Sequence, residues 1–472
     1  MVFSSHIFLF GFLPVALLLY YLTPMRWRSV ILTILSYVFY GWWNPWFVFL
    51  MLGSTTVDYF CGAAIAREGQ TIRRQRVALG TSVSVNLLCL GFFKYALFFS
   101  ENLGVMAGWF GWESLPPPAF LSQIVLPVGI SFYTFQSMSY SIDLYRGDAK
   151  PARNFVDFAC YVSMFPQLVA GPIVRYASIA DQLRNRIHTA SGFALGMTRF
   201  NFGFAKKILL ANPMGQIADL CFEAGGGSLS AVAAWIGVLA YGLQIYFDFS
   251  AYSDMALGLG RMLGFRFAEN FDSPYKSASF TEFWHRWHIS LSSFLRDYLY
   301  IPLGGNRKGI GRTYLNLFLV MLIGGIWHGA QWTFVIWGVI HGVLLMGERW
   351  VRMNFSFAFP VWAGRFLTGF LLLITWVFFR SESMEVAIDY LASMFGLGAV
   401  EATASLLHEV LLRPVPMASL SLGLLLALFA PNTGEFLSRF TSAKAIAGLV
   451  LLVISVRLMA VQGHNPFLYF QF

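Results

Sequence analysis

Apolar stretches of roughly 17 to 25 residues, the length that crosses the hydrocarbon core of a bilayer, recur along this sequence from end to end. Residues 6–22, 77–100 and 231–257 are examples, and the same length rule counts about ten to twelve of them. Inside lipid every backbone N–H and C=O must be satisfied internally, so only helices and closed barrels span, and these runs are continuous rather than alternating at period two. The pattern predicts an all-α fold, a polytopic transmembrane helical bundle. Composition agrees, since 57% of the 472 residues are hydrophobic and 12% charged, against roughly 25% charged in soluble domains.

There is no tandem repeat, low-complexity tract or long polar linker, so the expectation is one membrane domain over residues 1–472. The first stretch lacks a basic n-region and a small-x-small cleavage site and runs into Arg26 and Arg28, which reads as a retained helix rather than a signal peptide. Cys61, Cys89, Cys160 and Cys221 are scattered singly, giving neither a disulfide framework nor a zinc site; they read as small core residues. A net charge of +9 would point to nucleic acid in a soluble domain. Here the cations sit in short loops beside apolar spans, so topology accounts for them, lipid is the surrounding medium and no nucleic-acid partner is expected.

Arg67, Arg73, Arg74 and Arg76 crowd one loop, whereas residues 101–118 hold Glu101 and Glu113 and no Lys or Arg. The positive-inside bias places the first in the cytoplasm and the second, with Pro116, Pro117 and Pro118, outside. Arg146, Lys150 and Arg153 mark a second cytoplasmic loop, and Arg307, Lys308 and Arg312 a third. Arg175, Arg184 and Arg186 fit simple alternation poorly, which implies that some apolar segments do not cross fully. The run Phe165-Pro166-Gln167-Leu168-Val169-Ala170-Gly171-Pro172 is the candidate re-entrant segment, because proline-broken backbone is tolerated at membrane depth only when buried in protein or lining a cavity.

Polar residues inside apolar sequence cost on the order of 2.5 to 3.5 kcal/mol when ionisable, so each cluster of them requires a reason. In the first, Gln244, Asp248 and Tyr252 are spaced four apart and share one side of a helix, with Ser253 beside them and Asp254 off that line. They are either hydrogen-bonding glue between helices or a polar, cavity-lining wall. The second runs over residues 281–300, where Trp284, Trp287, Leu291, Leu295 and Tyr298 follow helical periodicity. His288 sits beside that packed face, while His285, Ser292 and Arg296 form a more polar strip. An interfacial helix with a satisfied core histidine is the plain alternative, and His285-x-x-His288 lacks a third ligand at metal-site spacing, so no metal is assigned.

The third cluster is Gly324-Gly325-Ile326-Trp327-His328-Gly329-Ala330, set between the apolar runs 314–323 and 332–340. Gly325 and Gly329 form a small-xxx-small pair that admits either another backbone or a thin substrate chain next to His328. His341 reads as structural. Acyl transfer from a thioester to a hydroxyl needs a base and donors for the developing oxyanion. His328, an imidazole of ordinary pKa about 6.5 placed in apolar surroundings, suits the base, and His288 suits orientation of the acceptor or carbonyl. No Gly-x-Ser-x-Gly elbow or Walker A sequence is present, and Gly258-Leu259-Gly260-Arg261-Met262-Leu263-Gly264 is one residue too long for a dinucleotide fingerprint, so helix packing explains it better.

At these residues the chain resembles the membrane-bound O-acyltransferase family, in its alginate and cellulose O-acetylation branch. The resemblance spans nearly the whole chain and includes Met1-Val2-Phe3-Ser4-Ser5, Leu126-Pro127-Val128-Gly129-Ile130-Ser131-Phe132, Tyr246-Phe247-Asp248-Phe249-Ser250, Arg286-Trp287-His288-Ile289-Ser290, Arg296-Asp297-Tyr298, Gly304-Gly305-Asn306 and Trp327-His328-Gly329. It implies a ring-like bundle, thin at its centre, with His328 catalytic at a pore joining a cytoplasmic donor to an outer acceptor, and His288 as the second catalytic histidine. Trp327, Gln244, Asp248, Ser253, Asp254, Arg296 and Asp297 are then expected to line the pore or substrate path. The donor implied is acetyl-CoA, with no bound cofactor, and the setting a bacterial inner membrane. The partners implied are a periplasmic acetyltransferase or esterase-like protein and the polysaccharide secretion machinery. Cellulose, peptidoglycan or teichoic acid are alternative acceptors to alginate, and a transporter or flippase is the alternative of another class. The final residues Asn465-Pro466-Phe467-Leu468-Tyr469-Phe470-Gln471-Phe472 resemble an aromatic tail found in such systems. With Phe472 last, they read as a docking or packing element rather than an acyl carrier.

Overall fold

The computed structural model describes residues 1–111, 116–224, 229–355, 359–398, 411 and 413–463; the aromatic tail and Glu113 lie outside these. The described residues are helical, with no strand among them. Among the described residues seven helices are long and apolar enough to cross a membrane: Trp46–Ala66, Ile72–Trp109, Ala231–Met262, Ile310–His328, Trp332–Asn354, Val361–Arg380 and Ser442–Val461. Shorter apolar helices cover Ile7–Leu22 and Pro416–Phe429. The protein is a multi-pass, all-α membrane protein. Among the described residues fewer full-length spans form than the apolar stretches suggested; the proline-bearing run at residues 165–172, for one, yields only the short helix Phe165–Leu168.

The chain divides into two compact units, Met1–Met197 with Ala256–Ala268, and Thr198–Met255 with Glu269–Phe472. The long helix Ala231–Met262 contributes to both. In the first unit, Trp46–Ala66 packs against Ile72–Leu90 and Ile130–Arg146. With lipid as solvent, apolar burial gives little drive to helix association, so close approach and polar contacts must supply it. Both are present. A Cβ on Gly62 would lie 2.4 Å from the Tyr140 ring, and buried Asp58 accepts hydrogen bonds from Ser82 Oγ at 2.6 Å and Asn86 Nδ2 at 2.9 Å. Ser82 in turn contacts Ser141 at 2.7 Å.

The proline-bearing run becomes a short helix, Phe165–Leu168, between Phe155–Ser163 and Tyr176–Arg184. Residues 163–174 are all buried in protein, as broken backbone at membrane depth requires. Side chains satisfy the freed groups: Ser36 Oγ accepts from Phe165 N–H at 3.0 Å, and the Tyr161 hydroxyl reaches the Val174 carbonyl at 2.9 Å. The Gly258 to Gly264 stretch is helix packing and termination. Gly264 takes a left-handed φ of 85°, and Phe265 N–H closes on the Gly260 carbonyl at 2.8 Å.

In the second unit, the apolar window of Ala231–Met262 is 78% buried, against 17% for Ser442–Val461. That helix is therefore wrapped by protein, which is why it tolerates Gln244, Asp248, Ser250, Ser253 and Asp254. The hairpin Ile310–His328 and Trp332–Asn354 meets through glycine: a Cβ on Gly325 would stand 2.4 Å from the Phe334 carbonyl oxygen, and one on Gly338 would stand 2.6 Å from that of Met321. The notch left open in the sequence is thus filled by another backbone rather than by a substrate chain.

Candidate active site

His328 is the last residue of its helix, and Gly329 turns to an extended φ of −163° to end it. A Cβ at Gly329 would overlap the Phe334 ring, so the return helix seats directly on the histidine's turn. The His328 ring packs edge-on against Trp327, Trp337 and Phe379, with centroids at 5.0, 5.3 and 5.0 Å. It is 7% exposed. That exposure opens on a cavity of about 340 Å³ shared with Trp284, Ser292, Ser293, Arg296, Gly324 and Trp337, within the size range of small-molecule pockets.

His288 lies where the sequence suggested one continuous helix, and there the chain breaks. The helix Phe280–Arg286 starts from a Ser279 cap on Glu282 N–H, and a second helix, Ile289–Leu295, follows. Between them His288 takes a left-handed conformation, φ 44° and ψ 54°, uncommon for a residue with a Cβ. Asn270 clamps the break: its backbone carbonyl accepts from Ile289 N–H at 2.9 Å, and its Oδ1 accepts from Ser290 N–H at 3.1 Å and Ser290 Oγ at 2.8 Å. His288 Nδ1 is 3.3 Å from the same oxygen. No glycine or proline marks the break, because its cause lies 18 residues upstream.

The imidazole of His288 is 1% exposed and stands edge-on to Phe249 at 4.7 Å and to Trp327 at 6.3 Å. The Trp327 indole therefore lies against both candidate histidines. Burial pushes the pKa of His288 down to about 3, so it is neutral near pH 7. His285, by contrast, is exposed, with Nδ1 2.7 Å from the Thr281 carbonyl. His341 is fully buried against Trp337 and 3.2 Å from Thr375 Oγ1, in keeping with a structural role.

The remaining candidates are spread more widely. Arg296 borders the His328 cavity and pairs with Asp297 at 2.7 Å. Asp248 forms a buried ion pair with Lys207 at 2.7 Å, both side chains under 5% exposed. Asp254 is held by Arg199 at 2.8 Å and Lys206 at 2.5 Å, and with Ser253 it borders a narrow cleft shared with Glu269 and Thr433. Gln244 is buried one turn before Asp248. These ion pairs favour the glue alternative for Asp248 and Asp254. Sequence reasoning flagged the two acids and overlooked their cations, although Lys206 and Lys207 stand in an apolar run and the same cost argument applies. It also overlooked Asp58, and Trp337 and Phe379, which cage His328. A larger, mostly apolar recess of about 960 Å³, bordered by Trp235, Tyr275, Lys276, Trp362, Arg365 and Phe429, contains none of the candidate residues.

Residues 152–381, which include every candidate residue, match the family model for MBOAT, the membrane-bound O-acyltransferase family. The chain is 44% identical to the probable alginate O-acetylase AlgI of Pseudomonas putida over the full length of both. It is 49% identical to the protein of the same name from Pseudomonas aeruginosa over 84% of this chain and 76% of that one. It is also 34% identical to the peptidoglycan O-acetyltransferase of Helicobacter pylori, over 100% of this chain and 98% of that protein. Apolar helices throughout, an intramembrane histidine on a cavity and full-length similarity at this level agree, and the chain belongs to the membrane-bound O-acyltransferase family and is an O-acyltransferase.

Proposed function

We propose that this protein carries acetyl groups from a cytoplasmic thioester donor, acetyl-CoA, across the bacterial inner membrane for O-acetylation of an exported polysaccharide, with alginate the leading acceptor. The observation that carries the reading is His328 at the wall of the 340 Å³ cavity, at the end of a spanning helix. The names of the two Pseudomonas relatives supply the polymer class. In this reading His328 accepts the hydroxyl proton as the acceptor oxygen bonds to the acetyl carbon. The carbon–sulfur bond then breaks, and the proton passes from His328 to the departing thiolate. Trp284 and Trp337 line the same cavity, and each carries a buried indole N–H with no acceptor among the described residues. Such donors are suited to the oxyanion that forms in between. His288, neutral and packed on Trp327, orients the acceptor or the carbonyl.

The acceptor that leaves the membrane is a periplasmic acetyltransferase or esterase-like partner, or the polymer itself in the secretion machinery. Peptidoglycan is the second reading, favoured by the Helicobacter relative. Proteoliposomes loaded with acetyl-labelled acetyl-CoA test the scheme. Label should reach alginate oligomers or the purified partner added outside, in proportion to CoA released inside. CoA release without outside label, or outside label only on peptidoglycan fragments, would overturn the alginate assignment. Movement of intact acetyl-CoA or lipid without release of CoA would instead mark a transporter.

A further inference from the structure

Arg186, one of the arginines that fit the loop alternation poorly, meets Arg28, which follows the first helix, at one place in the first unit. Arg186 is 7% exposed; its Nη1 donates to the Tyr20 hydroxyl at 3.2 Å, and its Nη2 donates to Ser29 Oγ at 2.6 Å and to the Leu183 carbonyl at 3.3 Å. Its Nε–H is buried with no acceptor among the described residues. Half-buried Arg28 lays Nη1 3.2 Å from His188 Nδ1 and 3.3 Å from His188 Nε2, and its Nε donates to the Thr23 carbonyl at 3.1 Å. The two guanidinium carbons stand 5.1 and 5.8 Å from the centre of one Tyr20 ring.

Among the described residues no carboxylate comes within ion-pair distance of Arg28 or Arg186. The hydrogen bonds also require a neutral His188. The Tyr20 hydroxyl gives its proton to the Leu263 carbonyl at 2.7 Å, so His188 Nε2, 3.0 Å away, is the donor to Tyr20, and Nδ1 is left to accept from Arg28. Burial, then Arg28, lowers the pKa of His188, with Arg186 adding to the effect. Two guanidiniums and an imidazole thus gather around one tyrosine, with no carboxylate paired to either arginine among the described residues.

We propose that Arg28 and Arg186, with His188 fixing the Arg28 guanidinium, form a binding site for a phosphate group, with the headgroup of an anionic phospholipid as its occupant. Guanidinium forks match phosphate oxygens, and phosphate would satisfy the open Nε–H. The surroundings select a lipid: Leu22, Trp27 and Ile187 beside the cluster are 72%, 54% and 74% exposed, an apolar and aromatic rim of the kind that sits at headgroup level. The helix Arg28–Gly41 returns through residues 42–45 to Trp46–Ala66. By the charge bias the Arg67 end of that second helix is cytoplasmic, so Arg28 faces the leaflet where anionic lipids are enriched. This site is independent of the acyl chemistry at His328.

Native mass spectrometry of the full chain, titrated with phosphatidylglycerol or phosphatidylcholine, tests the assignment. Wild-type protein should retain phosphatidylglycerol preferentially. Arg28→Gln, a half-exposed change that spares the fold if Arg186→Gln does not, should weaken that retention about tenfold, the loss expected for a charged hydrogen bond. Arg26→Gln, which changes the same net charge on an exposed neighbour, should not. Inorganic phosphate or coenzyme A competing at millimolar levels in wild type, but not in Arg28→Gln, would keep the phosphate site and make its occupant soluble. Equal retention of the two lipids with no response to phosphate, or equal losses in Arg26→Gln and Arg28→Gln, would overturn it.

Discussion

Adding one methyl group at Gly325 should disable this protein more than its size suggests. A Cβ there would stand 2.4 Å from the Phe334 carbonyl oxygen and 2.9 Å from Gly338 Cα. Ordinary contact begins near 3.4 Å, so the helix Trp332–Asn354 must retreat by about 1 Å, and both obstructing groups are backbone that no rotamer change can move. Overpacking of this kind costs about 1–3 kcal/mol, and rigid neighbours place Gly325→Ala at the upper end. The retreat also draws Trp337 from the His328 ring, now 5.3 Å away, and a displacement of about 1 Å near reacting groups can lower turnover about 100-fold. Gly347→Ala on the same helix is the control: nothing lies within 4 Å of its added Cβ, and a helical Gly→Ala exchange stabilises by about 0.4–1 kcal/mol. Thermal unfolding in detergent and thioester-dependent transfer in proteoliposomes would measure both variants. A Gly325→Ala protein that unfolds with wild-type midpoint and turns over at wild-type rate would refute the backbone-contact argument.

At His288 the left-handed backbone makes side-chain shape matter: His288→Asn should fold and lose turnover, while β-branched His288→Val should lose a further 1–3 kcal/mol or so of stability. Equal unfolding midpoints for the two would count against the strained turn. The same histidine gives an acid-side dependence. Its folded pKa of about 3 lies below the ordinary value near 6.5, so between those limits the unfolded chain binds more protons and stability falls with falling pH. His288→Asn should flatten the slope of unfolding midpoint against pH, and an unchanged slope would contradict the buried, neutral assignment. Asp248→Asn leaves the Lys207 ammonium buried opposite an amide and should cost about 3–5 kcal/mol; adding Lys207→Met should recover much of that, and additive losses in the two would argue against a coupled pair.

The spans and the catalytic candidate could be read from sequence because both depend on local properties: apolar length, and a histidine where none is cheap. The cage around His328 could not. Trp337 reaches it only because glycines let two helix backbones touch, and the sequence left open what would fill that notch. The break at His288 was invisible for a similar reason, since Asn270 supplies the acceptors from a distant loop while the apolar periodicity runs on unbroken. Asp248 and Asp254 were visible as costly acids, but whether they lined a path or held helices together depended on Lys207, Lys206 and Arg199 across the packing. Arg184 and Arg186 stood out as misfits of topology, and the fold gives Arg186 a place beside Arg28 and His188.

The central claim is that His328 removes the acceptor proton. The direct measurement is single-turnover acetyl transfer from acetyl-CoA in proteoliposomes by His328→Ala and His328→Gln, each first shown to unfold at the wild-type midpoint. The account predicts that both lose transfer by about 100-fold or more, as removal of a general base does, while still binding acetyl-CoA. Transfer at the wild-type rate by either folded variant would contradict it.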